Sequence, residues 1–108
     1  MISSELRKNT LVLSVAKNRI DMVVARKFRE ELTSQIQSKP PNIILDLKNT
    51  EYFDSSALGA LVAFMKDVKG YGGHLVLCNL SRSLLTLLKL SKLDLLFEIS
   101  DDLDKAVV

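Results

Sequence analysis

The stretch Ile43–Met65, IILDLKNTEYFDSSALGALVAFM, constrains the fold of this chain more than any other. Ile43-Ile44-Leu45 is a continuous apolar run that leads through Asp46-Leu47 into a polar turn. A run of that kind reads as a strand buried on both faces. Asp54-Ser55-Ser56 then opens a long apolar helix, placing side-chain oxygens where the free backbone N–H groups of a helix start need acceptors. A pair of hydroxyls is therefore presented at a helix N-terminus just beyond the carboxyl end of a core strand. Open α/β folds place function there.

The remaining segments fit an α/β fold around that unit. Glu5 to Ala16 reads as two short strands about a turn at Lys8-Asn9, with Leu11, Leu13 and Val15 alternating in a half-buried pattern. Asp21 is placed to N-cap a helix running to about Ser38, whose apolar positions Val24, Ala25, Phe28, Leu32 and Ile36 recur at helical spacing. Arg26, Lys27, Arg29, Glu30 and Glu31 cover its other side, and Lys27–Glu31 is the surface ion pair the spacing suggests. Pro40-Pro41 ends that region and delivers the chain into the strand Asn42 to Leu47. After the second helix, Gly70-Tyr71-Gly72-Gly73 leads to a strand from His74 to Asn79. Ser81 caps a third helix through about Lys92, Leu95 to Ile99 forms a short last strand, and Asp101-Asp102 start a terminal helix to Val108. Residues 1–108 thus form one α/β domain with a mixed sheet of four to five strands. The sheet is expected to be antiparallel at its N-terminal edge and parallel afterwards, with about four helices.

Within the second helix, Leu58, Leu61, Val62, Met65 and Val68 make the stripe expected to pack on the sheet. Ser56, Gly59, Ala60 and Ala63 fall on another flank, and all are small. A mid-helix glycine costs about 1 kcal/mol relative to alanine, so Gly59 calls for a reason. Either a neighbouring element packs closely there, or the flank is a flat surface that lets a partner backbone approach.

Several functions are disfavoured. The 15 basic and 13 acidic residues are interspersed, giving a formal charge of +2 and no basic stripe for a nucleic-acid backbone. No apolar run approaches the ~20 residues of a membrane span. Met1-Ile2-Ser3-Ser4-Glu5 does not read as a signal peptide, and the lone Cys78 excludes an internal disulfide, so the expected location is the cytoplasm. His74 reads as a strand-edge residue and Cys78 as a small buried filler, which leaves no set of zinc ligands. The glycines of the Gly70–Gly73 segment precede a strand and lack a following Lys-Ser/Thr, so they do not make a phosphate loop. No G-x-S-x-G elbow is present. No catalytic residue, metal or cofactor is assigned, and the chain is not read as an enzyme. Asp46, at the end of its strand, is either a poised carboxylate or a residue of the turn.

Taken together, Asp46-Leu47, Tyr52-Phe53-Asp54-Ser55-Ser56-Ala57-Leu58-Gly59, Gly72-Gly73, Asn79-Leu80-Ser81 and Leu90-Ser91-Lys92-Leu93 resemble the STAS family, the sulphate-transporter and anti-sigma-factor-antagonist domain. The likeness runs from about Ser3 to Ala106 and is strongest to the stand-alone bacterial anti-sigma factor antagonists. It implies that Ser55 is a phosphorylated residue and that Asp21 is a second family position; Asp21 and Asp54, with the small flank Ser56, Gly59, Ala60 and Ala63 read from helical spacing, make the candidate partner-binding surface. It also implies a cycle. The unphosphorylated domain binds an anti-sigma factor with an ATP-binding serine-kinase fold, that kinase phosphorylates Ser55, and a PP2C-type serine phosphatase restores binding. Transcription is controlled through the client that the anti-sigma factor holds or releases. The alternative within the same fold is an accessory subunit of a lipid-transporting ABC complex, or a stress-signalling scaffold, that is not phosphorylated. A third reading, from another class, is a small ligand-binding or hydrolytic α/β domain using the strand-end crevice. Two positions depart from the family pattern: Asn18 stands where glycine is usual, and Ala57 replaces the glycine after the two hydroxyls. The second change is expected to reduce the room around Ser55.

Overall fold

A computed structural model describes residues 1–108. Strands β1 (Ile2–Arg7) and β2 (Thr10–Val15) form an antiparallel hairpin about Lys8-Asn9. Strands β4 (Asn42–Asp46), β6 (His74–Cys78) and β7 (Glu98–Ser100) then add in parallel, giving the five-stranded order β1-β2-β4-β6-β7. The mixed sheet expected from the pattern is present. Two further strands of two residues each, β3 (Arg19–Ile20) and β5 (Tyr52–Phe53), pair with each other in parallel outside that sheet.

The helices are α1 (Ala25–Gln35), α2 (Ser55–Gly70), α3 (Arg82–Leu90) and α4 (Leu103–Ala106), with a 3-10 turn at Leu93–Leu95. The main core lies on one face of the sheet, where Ile43, Leu45 and Leu77 meet Phe28 and Leu32 of α1, Leu61 and Phe64 of α2, and Leu84 and Leu88 of α3. Each fully buried side chain of that size contributes about 1.5–3 kcal/mol of hydrophobic stabilisation. On the other face, Val12, Ile44, Val76 and Cys78 are covered by Leu103, Ala106 and Val107. Every residue of Ile43–Leu47 is consequently buried, as its continuous apolar run requires. Strand β2 is also covered on both sides, with Val12, Leu13 and Val15 buried, rather than half-buried as its alternation suggested. The C-terminal segment supplies the second cover, and it is held in place by Thr10, whose hydroxyl donates to the Val108 carbonyl at 3.1 Å and accepts its N–H at 2.9 Å.

Other boundaries shift for local reasons. Regular α1 stops at Gln35 rather than Ser38. The Lys27–Glu31 pair does not form: Arg26 pairs with Glu30 at 3.1 Å, while Glu31 accepts the Ile2 N–H at 3.2 Å and so ties α1 to β1. The last strand begins at Glu98, because Leu93–Leu95 closes a 3-10 turn that leaves Leu95 and Leu96 exposed. Ser81 caps α3 as expected, its hydroxyl accepting the Leu84 N–H at 3.1 Å.

Candidate functional site

The β3–β5 ladder builds the site. Arg19 lies opposite Tyr52 and Ile20 opposite Phe53, and the Asp54 N–H reaches the Ile20 carbonyl at 3.2 Å. The Asn18 carbonyl accepts both the Glu51 N–H (2.8 Å) and the Tyr52 N–H (3.2 Å). Inward, Ile20 and Phe53 are buried, and the Phe53 ring sits edge-on to Phe28 with centroids 5.7 Å apart. Outward, the Arg19 guanidinium stacks 3.9 Å from the centre of the Tyr52 ring. Sequence periodicity could not reveal this ladder, since two residues contain no period. It nevertheless brings the loop before α1 against the start of α2.

Asp54 joins those two loops. One carboxylate oxygen accepts the Ala57 N–H at 2.9 Å and caps α2, and the other accepts the Met22 N–H at 2.8 Å. Asp21 lies on the other loop, its Oδ1 accepting the Val23 N–H at 3.0 Å and its Oδ2 lying 3.4 Å from the Arg19 Nε. Asp21 is not the N-cap of α1 as expected: regular helix begins only at Ala25, with Val24 at its N-cap and no side-chain capping bond, and Asp21 instead closes the preceding turn Met22–Val24, its carbonyl accepting the Ala25 N–H at 2.8 Å. Met22 and Val23, to which the sequence assigned nothing, are exposed at the tip of this turn. Their signal was available: two large apolar residues directly after a candidate capping aspartate, outside the helical stripe.

Ser55 and Ser56 are both exposed on the first turn of α2. The buried residues of α2 are Ala57, Ala60, Leu61, Phe64, Met65 and Val68. The anticipated stripe is therefore rotated: Leu58 and Val62 are half-buried, and Ala57, Ala60 and Phe64 take central places. Of the small flank, Ser56 and Gly59 are exposed, Ala63 is half-buried, and Ala60 is part of the core instead of lying on the surface. The reason is the approach of α1, whose Ala25 lines the same notch as Ala60. That notch, about 230 Å³, is completed by Arg26, Arg29, Ser56 and Gly59. A methyl group built on Gly59 would meet no atom within 4 Å. No neighbouring element of the domain therefore needs a glycine there.

The other polar candidates lie elsewhere. Asp46 is buried at the end of β4, where one oxygen accepts the Lys48 N–H (3.1 Å) and the Asn79 side-chain amide (3.1 Å). Those bonds make Asp46 a buckle between the ends of β4 and β6. Cys78, beside it, has its thiol pushed up to about 11, by burial first and the Asp46 charge second. His74 is an exposed strand-edge residue whose Nε2 lies 2.8 Å from Glu98 Oε1. No group of three His, Cys, Asp or Glu side chains is placed to hold a metal ion, and no helix is long and apolar enough to cross a membrane.

The sequence pattern of the STAS domain family matches residues 1–106. The chain belongs to the STAS domain family. The anti-sigma-B factor antagonist of Bacillus subtilis is 33% identical over 93 residues, which cover 86% of this chain and 84% of that protein. Among solved structures, a STAS-domain anti-sigma-factor antagonist from Planctomyces limnophilus superposes with a TM-score of 0.88 at 21% identity, covering 98% of this chain and 94% of that one. The anti-sigma factor antagonist SpoIIAA in its unphosphorylated form superposes with a TM-score of 0.71 at 20% identity, covering 97% of this chain and 92% of that one. Of the two departures from the usual STAS pattern, neither disturbs the surface. Ala57 is fully buried, so its methyl points into the core and does not reduce the room around Ser55 as expected. Asn18 is not among the positive-φ residues, and its position requires no glycine.

Proposed function

We propose that this STAS domain is an anti-sigma factor antagonist whose binding is switched by phosphorylation of Ser55. In its unphosphorylated form it docks on an anti-sigma factor with an ATP-binding serine-kinase fold. That kinase modifies Ser55 and the complex dissociates, and a PP2C-type serine phosphatase resets the cycle. The docking surface comprises Asp21, Asp54, Ser56, Gly59 and Ala63, with Ala60 as part of the floor of the notch. Support comes from the family membership and the name of the B. subtilis relative, but one observation carries the reading. Asp54, not Ser55, caps α2, which leaves the Ser55 hydroxyl exposed and without a structural duty.

A phosphate adds about −1.5 to −2 charges, and a helix N-terminus tolerates negative charge well. The fold therefore survives modification. At the interface the same group must be desolvated beside the Asp54 carboxylate, which opposes docking. Incubation with ATP and recombinant serine-kinase-fold anti-sigma factors, read by intact mass and phosphopeptide mapping, tests the proposal. One phosphoryl group on Ser55 is the expected product. Modification confined to Ser56, whose side chain points about 100° away around the helix, would move the switch, and no modification at all would remove it.

A further inference from the structure

We infer that Met22 and Val23 are the apolar anchors of the docking surface, that their complement on the partner is an apolar pocket, and that Asp21 is a positioning residue. This rests on the binding-module reading above and goes further by naming the contacting groups.

Met22 is 75% exposed and Val23 84% exposed, side by side at the tip of the turn before α1. Leaving two large apolar side chains in water forgoes their burial. A turn that only connects β3 to α1 would fold equally well with polar residues there. The knuckle is also rigid. The Met22 N–H is held by Asp54 Oδ2 at 2.8 Å and the Val23 N–H by Asp21 Oδ1 at 3.0 Å. The Val24 and Ala25 N–H groups both bond to the Asp21 carbonyl, at 3.1 and 2.8 Å. The backbone donors from Met22 to Ala25 are thus satisfied, and the two side chains project from a backbone of one defined shape. Binding then loses little backbone ordering entropy, which is what distinguishes an anchor from a floppy apolar loop. A few well-buried residues carry most of the affinity of a protein interface, and Met is among the residue types enriched there.

The position selects a protein partner rather than a lipid surface. Asp54 bonds simultaneously to the Met22 N–H and to the first turn of α2, so the knuckle is continuous with the Ser55–Ser56 surface. The surface around it mixes the Asp21 and Asp54 carboxylates with Arg19, Arg26 and Arg29, and is not the cluster of basic residues that an anionic bilayer selects. Asp21 already spends its oxygens within the chain, on the Val23 N–H and towards Arg19. What it contributes to binding is therefore the shape of the turn.

The experiment titrates recombinant serine-kinase-fold anti-sigma factors with the wild-type domain and its variants, alongside thermal melts. Met22→Ser/Val23→Ser is expected to melt like wild type and to bind at least a hundredfold more weakly. Asp21→Ala should lose about tenfold, and Asp21→Asn should lose much less because its side-chain oxygen still accepts the Val23 N–H. Added to the double serine variant, Asp21→Ala should cause no further loss, since its effect passes through the knuckle. Wild-type affinity in the folded double serine variant overturns the anchors alone. A loss in Asp21→Asn as large as in Asp21→Ala makes Asp21 a charged contact and overturns its positioning role. If the wild-type domain binds none of these kinases, the binding-module reading falls and the anchors fall with it. Sedimentation with phosphatidylglycerol vesicles is expected to leave the domain in solution, and pelleting that the double serine change abolishes would give the knuckle to a membrane instead.

Discussion

The two ends of α2 are built on opposite principles. At the N-terminal end, Ser55, Ser56 and Gly59 are exposed, and a side chain added at Gly59 meets open space. At the C-terminal end Gly72 and Gly73 have structural reasons, although Gly70, like Gly59, has open space beside it. Gly72 adopts a φ of +81°, and a methyl on Gly73 would come within 2.7 Å of the Tyr71 ring and 2.8 Å of Val68 Cγ1. The Tyr71 hydroxyl donates to the Pro40 carbonyl at 2.8 Å and burial raises its pKa, so this end of the helix is latched to the entry of β4. The contrast separates small residues needed by the fold from small residues the fold does not need. Only the second kind are candidates for a partner.

Four substitutions would break or sharpen that contrast. The largest effect belongs to Ser55→Asp, which should weaken partner binding roughly a hundredfold, about 2.7 kcal/mol, while melting changes by only a few tenths of a kcal/mol. Calorimetric titration with parallel melts checks it, and an unfolded Ser55→Asp variant would make the N-terminal end as structural as the other. Gly73→Ala comes next. Overpacking against fully buried Val68 and the latched Tyr71 should destabilise the domain by about 1–3 kcal/mol in urea unfolding, with the affinity of the folded protein unchanged. Gly59→Arg should leave the domain folded and reduce binding at least tenfold, about 1.4 kcal/mol, by filling the notch. Full affinity in that variant would exclude the notch from the interface. The smallest effect is that of Gly59→Ala, which should raise stability by about 0.5–1 kcal/mol through helix propensity alone. A destabilised Gly59→Ala would mean that the domain does need this glycine.

The legible parts of this molecule were those governed by local chemistry. The apolar run Ile43-Ile44-Leu45 demanded cover on two faces, and Asp54 and Ser81 announced their caps because a helix start needs acceptors near the first free N–H groups. The strongest hydrophobes misled where packing distance decided instead. Leu58 and Val62 were placed in the core ahead of Ala57 and Ala60, but α1 and α2 approach at Ala25 and Ala60, and small residues belong at such a contact. Likewise Glu31 left its helical neighbour Lys27 for the backbone of Ile2, a partner 29 positions away that helical spacing cannot show.

By itself, then, the sequence determined the α/β layering, the order of the main strands and helices, and the hydroxyl pair at the start of α2, since each follows from periodicity or capping within a few residues. Only the tertiary structure decided what surrounds that pair. The β3–β5 ladder is two residues long on each side, and the bond from the Met22 N–H to Asp54 spans 32 positions. Contacts so short and so distant leave no repeat in the chain, and they exist only once the buried Ile20 and Phe53 have brought the two loops together.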